Sequence, residues 1–292
     1  MKNIDYKSLR LLNLVIQEQG FEKAAKKSPI TQSAISQRIR QLEKDLNQLL
    51  LTRTIPPKPT EYGKKLLGLL HQVDLLEYST LTDKMNSVSL PLAINADSLA
   101  TWFLPALEKV LENNLIKIHI ILDDETRNLD HLLNGEVVGA ISTQQKPING
   151  GTSDHIGTFE YILVSTPQFA EKYFPSGVTK DSLLKAPIVS FQKNSDSHIT
   201  FLQDFFNIPH GYLITHVVPS SEAYTQLILQ NSACCMIAKQ QIKPLLENGS
   251  VVNLIPDLIQ YKKLYWHKYD LQSEIMENIT EQILTNAKKF FS

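Results

Sequence analysis

Gln32, Ser33, Ser36 and Gln37 share one side of the segment ITQSAISQRIRQLEKDL, with Arg38 and Arg40 close by. Short amides and hydroxyls on a helix can exchange hydrogen bonds with nucleic-acid base edges, while guanidinium and ammonium groups pair with phosphates. Arg53 and Lys58, in the following stretch LLLTRTIPPKPTEYGKKLL, add cations suited to the second task.

A second set of polar residues follows apolar, strand-like runs further along the chain. It comprises Asp97, Ser98 and Thr101; Asp123, Asp124 and Glu125; Ser142 and Thr143; and Ser220, Ser221 and Glu222. Helix N-termini offer free N–H groups that suit a carboxylate, and the acids suit a cation. A ligand with both charges, such as a basic amino acid, would use both. The same acids also serve as ordinary helix caps with no ligand at all.

The positioning elements can be read from periodicity. Leu9, Leu12 and Ile16 mark a first helix that stops near Gly20, FEKAAKK makes a short second one, and SPI breaks it. Thr31 is placed to cap a third helix, in which Ile35, Ile39, Leu42 and Leu46 form a buried stripe and the polar residues face outward. Two helices, a tight turn and an amphipathic helix make a helix-turn-helix whose last helix can enter a major groove. The short strand and proline-rich basic turn after it read as a wing.

From Thr60 to about Met85 the apolar positions Leu66, Leu69, Leu70, Val73 and Leu76 recur along a helix. A helix of roughly 25 residues spans close to 40 Å and overshoots so small a domain, so pairing with the same helix of a second chain is expected. Gly63 and Gly68 allow close contact or bending there. Beyond Ser87, strands and helices alternate, first as LPLAIN, SLATWFLPALEKVLENN, IKIHIILDD, ETRNLDHLLNGE and VVGAIST, then in a second similar set. This order implies two α/β lobes joined by crossing strands, with a cleft between them.

Charge divides in the same place. The first 65 residues hold 13 Lys/Arg against 6 Asp/Glu, a net +7, and the remainder 16 against 24, a net −8. A basic N-terminal part fits a polyanionic partner. Cys234 and Cys235 are adjacent in an apolar run and read as core residues. With no run of about 18 apolar residues and no export signal, a cytoplasmic protein without membrane contact is expected.

ITQSAISQRIRQLEKDLNQLLLTRT followed by PTEYGKKLL resembles the DNA-binding domain of LysR-type transcriptional regulators. In that family the residues after the recognition-helix threonine contact bases, which implies such a role for Thr31, Gln32, Ser33, Ser36 and Gln37. Many members carry proline at Ser33, arginine at Gln37 and glycine at Asn47, so operator preference does not transfer. INADSLATWFLPAL, DDETRNL, GEVVGAIS, VPSSEAY, CCMI and LYWHK extend the likeness to the ArgP branch, whose members respond to lysine or arginine and are known also as inhibitors of chromosome replication initiation.

The resemblance implies an N-terminal winged helix-turn-helix (1–59), a linker helix that forms a homodimer (60–87) and a periplasmic-binding-protein-like effector domain (88–292). Its lobe I covers about 88–157 and 268–292, and its lobe II about 158–267. The implied partners are double-stranded DNA, a second copy of the chain (with tetramers left open) and RNA polymerase. The implied ligand is lysine or arginine, with no cofactor and no metal. The rival readings, an enzyme or a solute-binding protein on the same two-lobed unit, lack support: nucleotide-binding glycine motifs and a nucleophile elbow are absent, and the eight histidines are scattered.

Overall fold

The computed structural model describes residues 4–52, 54–80, 87–192 and 197–292. The N-terminal unit holds α1 (Tyr6–Gln17), α2 (Phe21–Lys26) and α3 (Gln32–Leu46). Asp5 caps α1 by accepting from the Lys7 and Ser8 amides, and Thr31 caps α3 by accepting from Ala34 N at 3.3 Å. Asn47 ends α3 in the left-handed conformation with φ 54°, one that asparagine adopts more readily than most residues. Leu9, Leu12, Val15, Ala24, Ile35, Ile39, Leu42 and Leu46 interlock as one core. Glu43 Oε1 accepts from Leu50 N at 2.8 Å and Leu51 N at 3.2 Å, which ties the wing to α3. The wing closes through the Leu51–Pro59 bridge.

The linker helix α4 (Glu61–Thr80) starts at Thr60, whose Oγ1 accepts from Gly63 N at 3.0 Å. The expectation that Leu66 and Leu70 line a seam between chains is corrected here. Both are buried in the first domain's core, Leu70 completely, because α1 and α3 leave an apolar face that the first half of α4 covers. Leu69 and Val73 are half-buried and Leu76 is 37% exposed. Leu75 joins the core of the C-terminal domain instead. The two glycines mark close approaches: a Cβ on Gly63 would lie 2.3 Å from the Leu50 carbonyl oxygen, and one on Gly68 would lie 2.4 Å from Gly135 Cα. The helix therefore rests on both domains.

In the C-terminal domain β1 (Val88–Ile94) leads into three short helical pieces, α5 (Ala96–Ser98), α6 (Leu104–Ala106) and α7 (Glu108–Leu111), with a π-helical turn over Leu99–Phe103. Then come β2 (Ile116–Leu122), α8 (Asn128–Leu133), β3 (Gly139–Ser142) and the 15-residue β4 (Gly151–Ser165). The second lobe adds α9 (Pro167–Tyr173), α10 (Lys180–Leu183), β5 (Ile188–Ser190), α11 (Ser197–Phe205), β6 (Thr215–Val217), α12 (Ser221–Leu229), β7 (Cys234–Ala238), α13 (Lys243–Glu247) and β8 (Val252–Asn253). β9 (Gln260–Tyr269) and α14 (Glu274–Phe290) return to the first lobe.

The strands run in the order β2-β1-β3-β9-β4-β7-β5-β6, with β8 on β4. β1 is parallel to β2 and β3, and β5 is parallel to β6 and β7, giving each lobe the expected parallel set. β4 and β9 form the antiparallel pair that crosses between lobes. Tyr265, Trp266 and His267, which the sequence reading placed in the second lobe, pair with β3 of the first. Cys234 and Cys235 are free and buried in β7, as core residues. Among the described residues no helix is long and apolar enough to cross a membrane.

Candidate functional site

α3 presents two polar rows opposite its buried stripe. Thr31, Gln32, Ser33, Gln37, Arg38 and Arg40 are exposed and Ser36 is half-buried. Gln32, Ser36 and Arg40 face the wing residues Thr52, Thr54 and Ile55 across an open groove of about 1190 Å³. Lys58 is exposed in the wing, where its backbone pairs with Thr52. Arg53 lies outside the described residues. The face is a rigid helix with short polar side chains at its N-terminal end, the arrangement that inserts into a major groove.

The second site lies between the lobes. Five of the residues expected there line one cavity: Asp97, Asp123, Asp124, Glu125 and Ser221. Asp97, in α5 just after β1, accepts from Tyr161 OH at 2.6 Å and from Ser221 Oγ at 2.5 Å, so one carboxylate joins the first lobe to the crossing strand and the second lobe. Burial, then the charge of Asp97, pushes the Tyr161 hydroxyl well above its ordinary value and keeps it a donor. Asp123 Oδ2 is 3.0 Å from His131 Nε2. Asp124 Oδ1 accepts from Thr126 N at 2.8 Å and Oγ1 at 2.5 Å, a local turn that satisfies one oxygen.

Glu125 is buried and its carboxylate accepts from the Lys262 ammonium. Burial alone would raise its carboxyl, but the charge and hydrogen bond of Lys262, with His198 adding to them, hold it below its usual range. Lys262 also donates to Ser197 Oγ at 2.6 Å and stands 5.3 Å from the centre of the Tyr161 ring.

The other expected residues do not line the cavity. Ser98 is fully buried and its hydroxyl finds no partner among the described residues. Thr101 Oγ1 turns back to the Asp97 carbonyl at 2.6 Å, the usual bond of a helical threonine. Ser142 is buried and accepts from Gln144 N at 3.2 Å, and Thr143 N donates to the Glu125 carbonyl. Ser220 caps α12 by accepting from Ala223 N, and Glu222 is exposed in its first turn. Capping accounts for Ser220, and an acid in the first turn of a helix, as at Glu222, is favourable without any ligand.

Sequence reasoning missed Lys262, Ser197, His198, Phe191, Gln192, Tyr224 and Met236, all in the cavity wall. Alternation along QYKKLYW marks Lys262 as facing opposite to its neighbours, but nothing local reveals a partner 137 positions away. His267 is a buried strand residue, as expected, 2.7 Å from the Gln144 carbonyl. Among the described residues no group of three His, Cys, Asp or Glu could hold a metal. The cavity is closed down to about 50 Å³, room for only a few waters at roughly 10–15 Å³ each.

Comparison with known proteins covers both domains. Residues 6–64 match the bacterial regulatory helix-turn-helix protein family, lysR family, and residues 87–288 match the LysR substrate binding domain. The chain is 49% identical over 292 residues to the HTH-type transcriptional regulator ArgP of Salmonella typhi, covering 99% of this chain and 98% of that protein. ArgP from Mycobacterium tuberculosis superposes with a TM-score of 0.82 at 27% identity, covering 98% of each chain. Full-length LysG from Corynebacterium glutamicum with bound effector Arg gives 0.74 at 28% identity, again over 98% of each. With a helix-turn-helix face at one end, an acidic inter-lobe cleft at the other and these relatives across its whole length, the chain belongs to the LysR family of DNA-binding transcriptional regulators, of the ArgP type, and is not an enzyme.

Proposed function

We propose that the cleft senses a basic amino acid, lysine or arginine, and that the ligand changes how the chain acts on DNA. The observation that carries this reading is charge: among the described residues, four carboxylates, from Asp97, Asp123, Asp124 and Glu125, line the cavity against one lysine, Lys262. Such a wall favours a ligand with surplus positive charge. The arginine bound to the LysG relative supports the same ligand class. Asp123 already faces His131 at 3.0 Å and Arg127 at 3.8 Å, so Asp124, whose carboxylate closes only a local turn with Thr126, is the acid best suited to the ligand's cation. The Ser98 hydroxyl, buried outside the cavity wall and without a partner among the described residues, would have to become accessible as the lobes part in order to take its carboxylate with the backbone N–H groups of α5.

On the DNA side, Thr31, Gln32, Ser33, Ser36 and Gln37 read bases, while Arg38, Arg40, Arg53 and Lys58 hold phosphates. Residues 1–59 thus serve DNA, 60–87 dimerisation and 88–292 the effector. Leu69, Val73 and Leu76 remain for a homodimer seam along α4. Acting on the chromosome beside RNA polymerase places the protein in the cytoplasm. Differential scanning of the purified protein against the twenty amino acids tests the reading: lysine and arginine should raise the melting temperature and leucine should not. Equal shifts from leucine and lysine would end the basic-ligand reading.

A further inference from the structure

We propose that Lys262 is a tethered competitor in the cleft: its ammonium holds the Glu125 subsite that a ligand's cation would take, and by bridging the lobes it keeps the ligand-free cleft shut. The ligand half of this inference rests on the basic-ligand reading above, and the latch half does not.

The geometry singles out Glu125 among the four acids. Asp97 is served by two hydroxyls, Asp123 by His131 and by the exposed Arg127 at 3.8 Å, and Asp124 by Thr126. Among the described residues Glu125 is the cleft acid paired with a lysine, and that ion pair is the most enclosed, with side-chain exposures of 7% for Glu125 and 11% for Lys262. A carboxylate buried this deeply is costly to keep ionised without a cation beside it. Lys262 supplies it from inside the protein. An incoming ammonium or guanidinium can replace Lys262 charge for charge, and the Glu125 carboxylate is never left bare. A neutral ligand cannot make that exchange, so the lysine sets a threshold that admits cations only.

The same side chain spans the hinge. Lys262 lies on β9, the strand that crosses between lobes, while Glu125 follows β2 of the first lobe and Ser197 opens α11 of the second. Its donation to both draws the lobes together over the cavity.

Two substitutions with opposite expected effects test this in the full-length protein. K262M removes the competitor and should tighten arginine binding about tenfold, the scale of one charge-assisted hydrogen bond. K262R keeps the charge but can grip Glu125 with two parallel N–H groups, and should weaken arginine binding by a similar factor. Agmatine, which lacks the carboxylate, should follow the same order. Calorimetric titration reads all three. Arginine binding that weakens in K262M, or tightens in K262R, overturns the competitor role by making Lys262 a receptor for the ligand's carboxylate.

Hydrogen exchange on the ligand-free proteins reads the latch separately. Faster exchange over 123–128 and 197–205 in K262M, or in E125Q if K262M does not fold, supports it, and unchanged exchange overturns it. If neither the wild type nor the variants bind arginine or lysine while exchange still rises, the ligand reading fails and the latch stands.

Discussion

Asp123 in the cleft wall and Lys64 on the linker helix are joined by only two side chains, His131 and Glu136. His131 Nε2 lies 3.0 Å from Asp123 and its Nδ1 2.5 Å from Glu136, and Glu136 lies 3.0 Å from the Lys64 ammonium. A ligand that draws on Asp123 therefore pulls on a chain of charges that ends on the helix carrying the DNA-binding domain.

That chain makes stability depend on pH in a defined direction. Burial alone would lower the His131 value, but its hydrogen bonds and charge interactions with Glu136 and Asp123 outweigh it and raise the value above 6.5. Because the folded value is the higher one, the stabilisation is fully present below about pH 6.5 and is lost as pH rises through the folded value. Melting curves of wild type and His131→Asn should differ by about 2–4 °C at pH 6 and converge towards pH 9. A gap that widens with pH would contradict the assignment.

Gly68→Ala tests how tightly the linker helix rests on the effector domain. Alanine favours an exposed helix by about 1 kcal/mol over glycine, yet here its Cβ would meet Gly135 Cα at 2.4 Å. Backbone must move, so the melting temperature should fall despite the better propensity. A rise would show that this contact does not hold in solution.

Substitutions on α4 should separate folding from assembly. Leu70→Asp places a charge in the first domain's fully enclosed core and should unfold that domain. Leu76→Asp, at a position 37% exposed, should instead yield a folded monomer. Light scattering with circular dichroism distinguishes the two, and a Leu76→Asp protein of unchanged mass would move the seam elsewhere.

On α3, Gln32→Ala should lose roughly 1–3 kcal/mol of discrimination at one base pair. Arg40→Ala should weaken binding to every sequence and lower the salt slope by about one. Fluorescence anisotropy on specific and random duplexes reads both, and equal losses for Gln32→Ala on the two would refute base reading there.

The sequence made legible what repeats at short range. The stripe Ile35, Ile39, Leu42, Leu46 fixed the orientation of α3, and Thr31 and Asn47 marked its ends. The parallel strands showed as apolar runs. β4 was partly hidden, since GTSDHIGTFE is polar where it crosses between lobes and alternates poorly. The stripe on α4 showed that a partner was needed but not which one, and its first half turned out to belong to the chain's own core. The acids of the cleft were visible as a cluster, whereas Lys262 was not, because its pairing with Glu125 exists only after two distant segments meet.

The most direct test of the central claim compares arginine with citrulline, which has nearly the same shape and lacks the positive charge, in calorimetric titrations of the wild-type protein. A cleft whose described residues include four carboxylates and one lysine should bind arginine at least about tenfold more tightly, the scale of one charge-assisted hydrogen bond. Equal affinities would contradict a site built to select a cation.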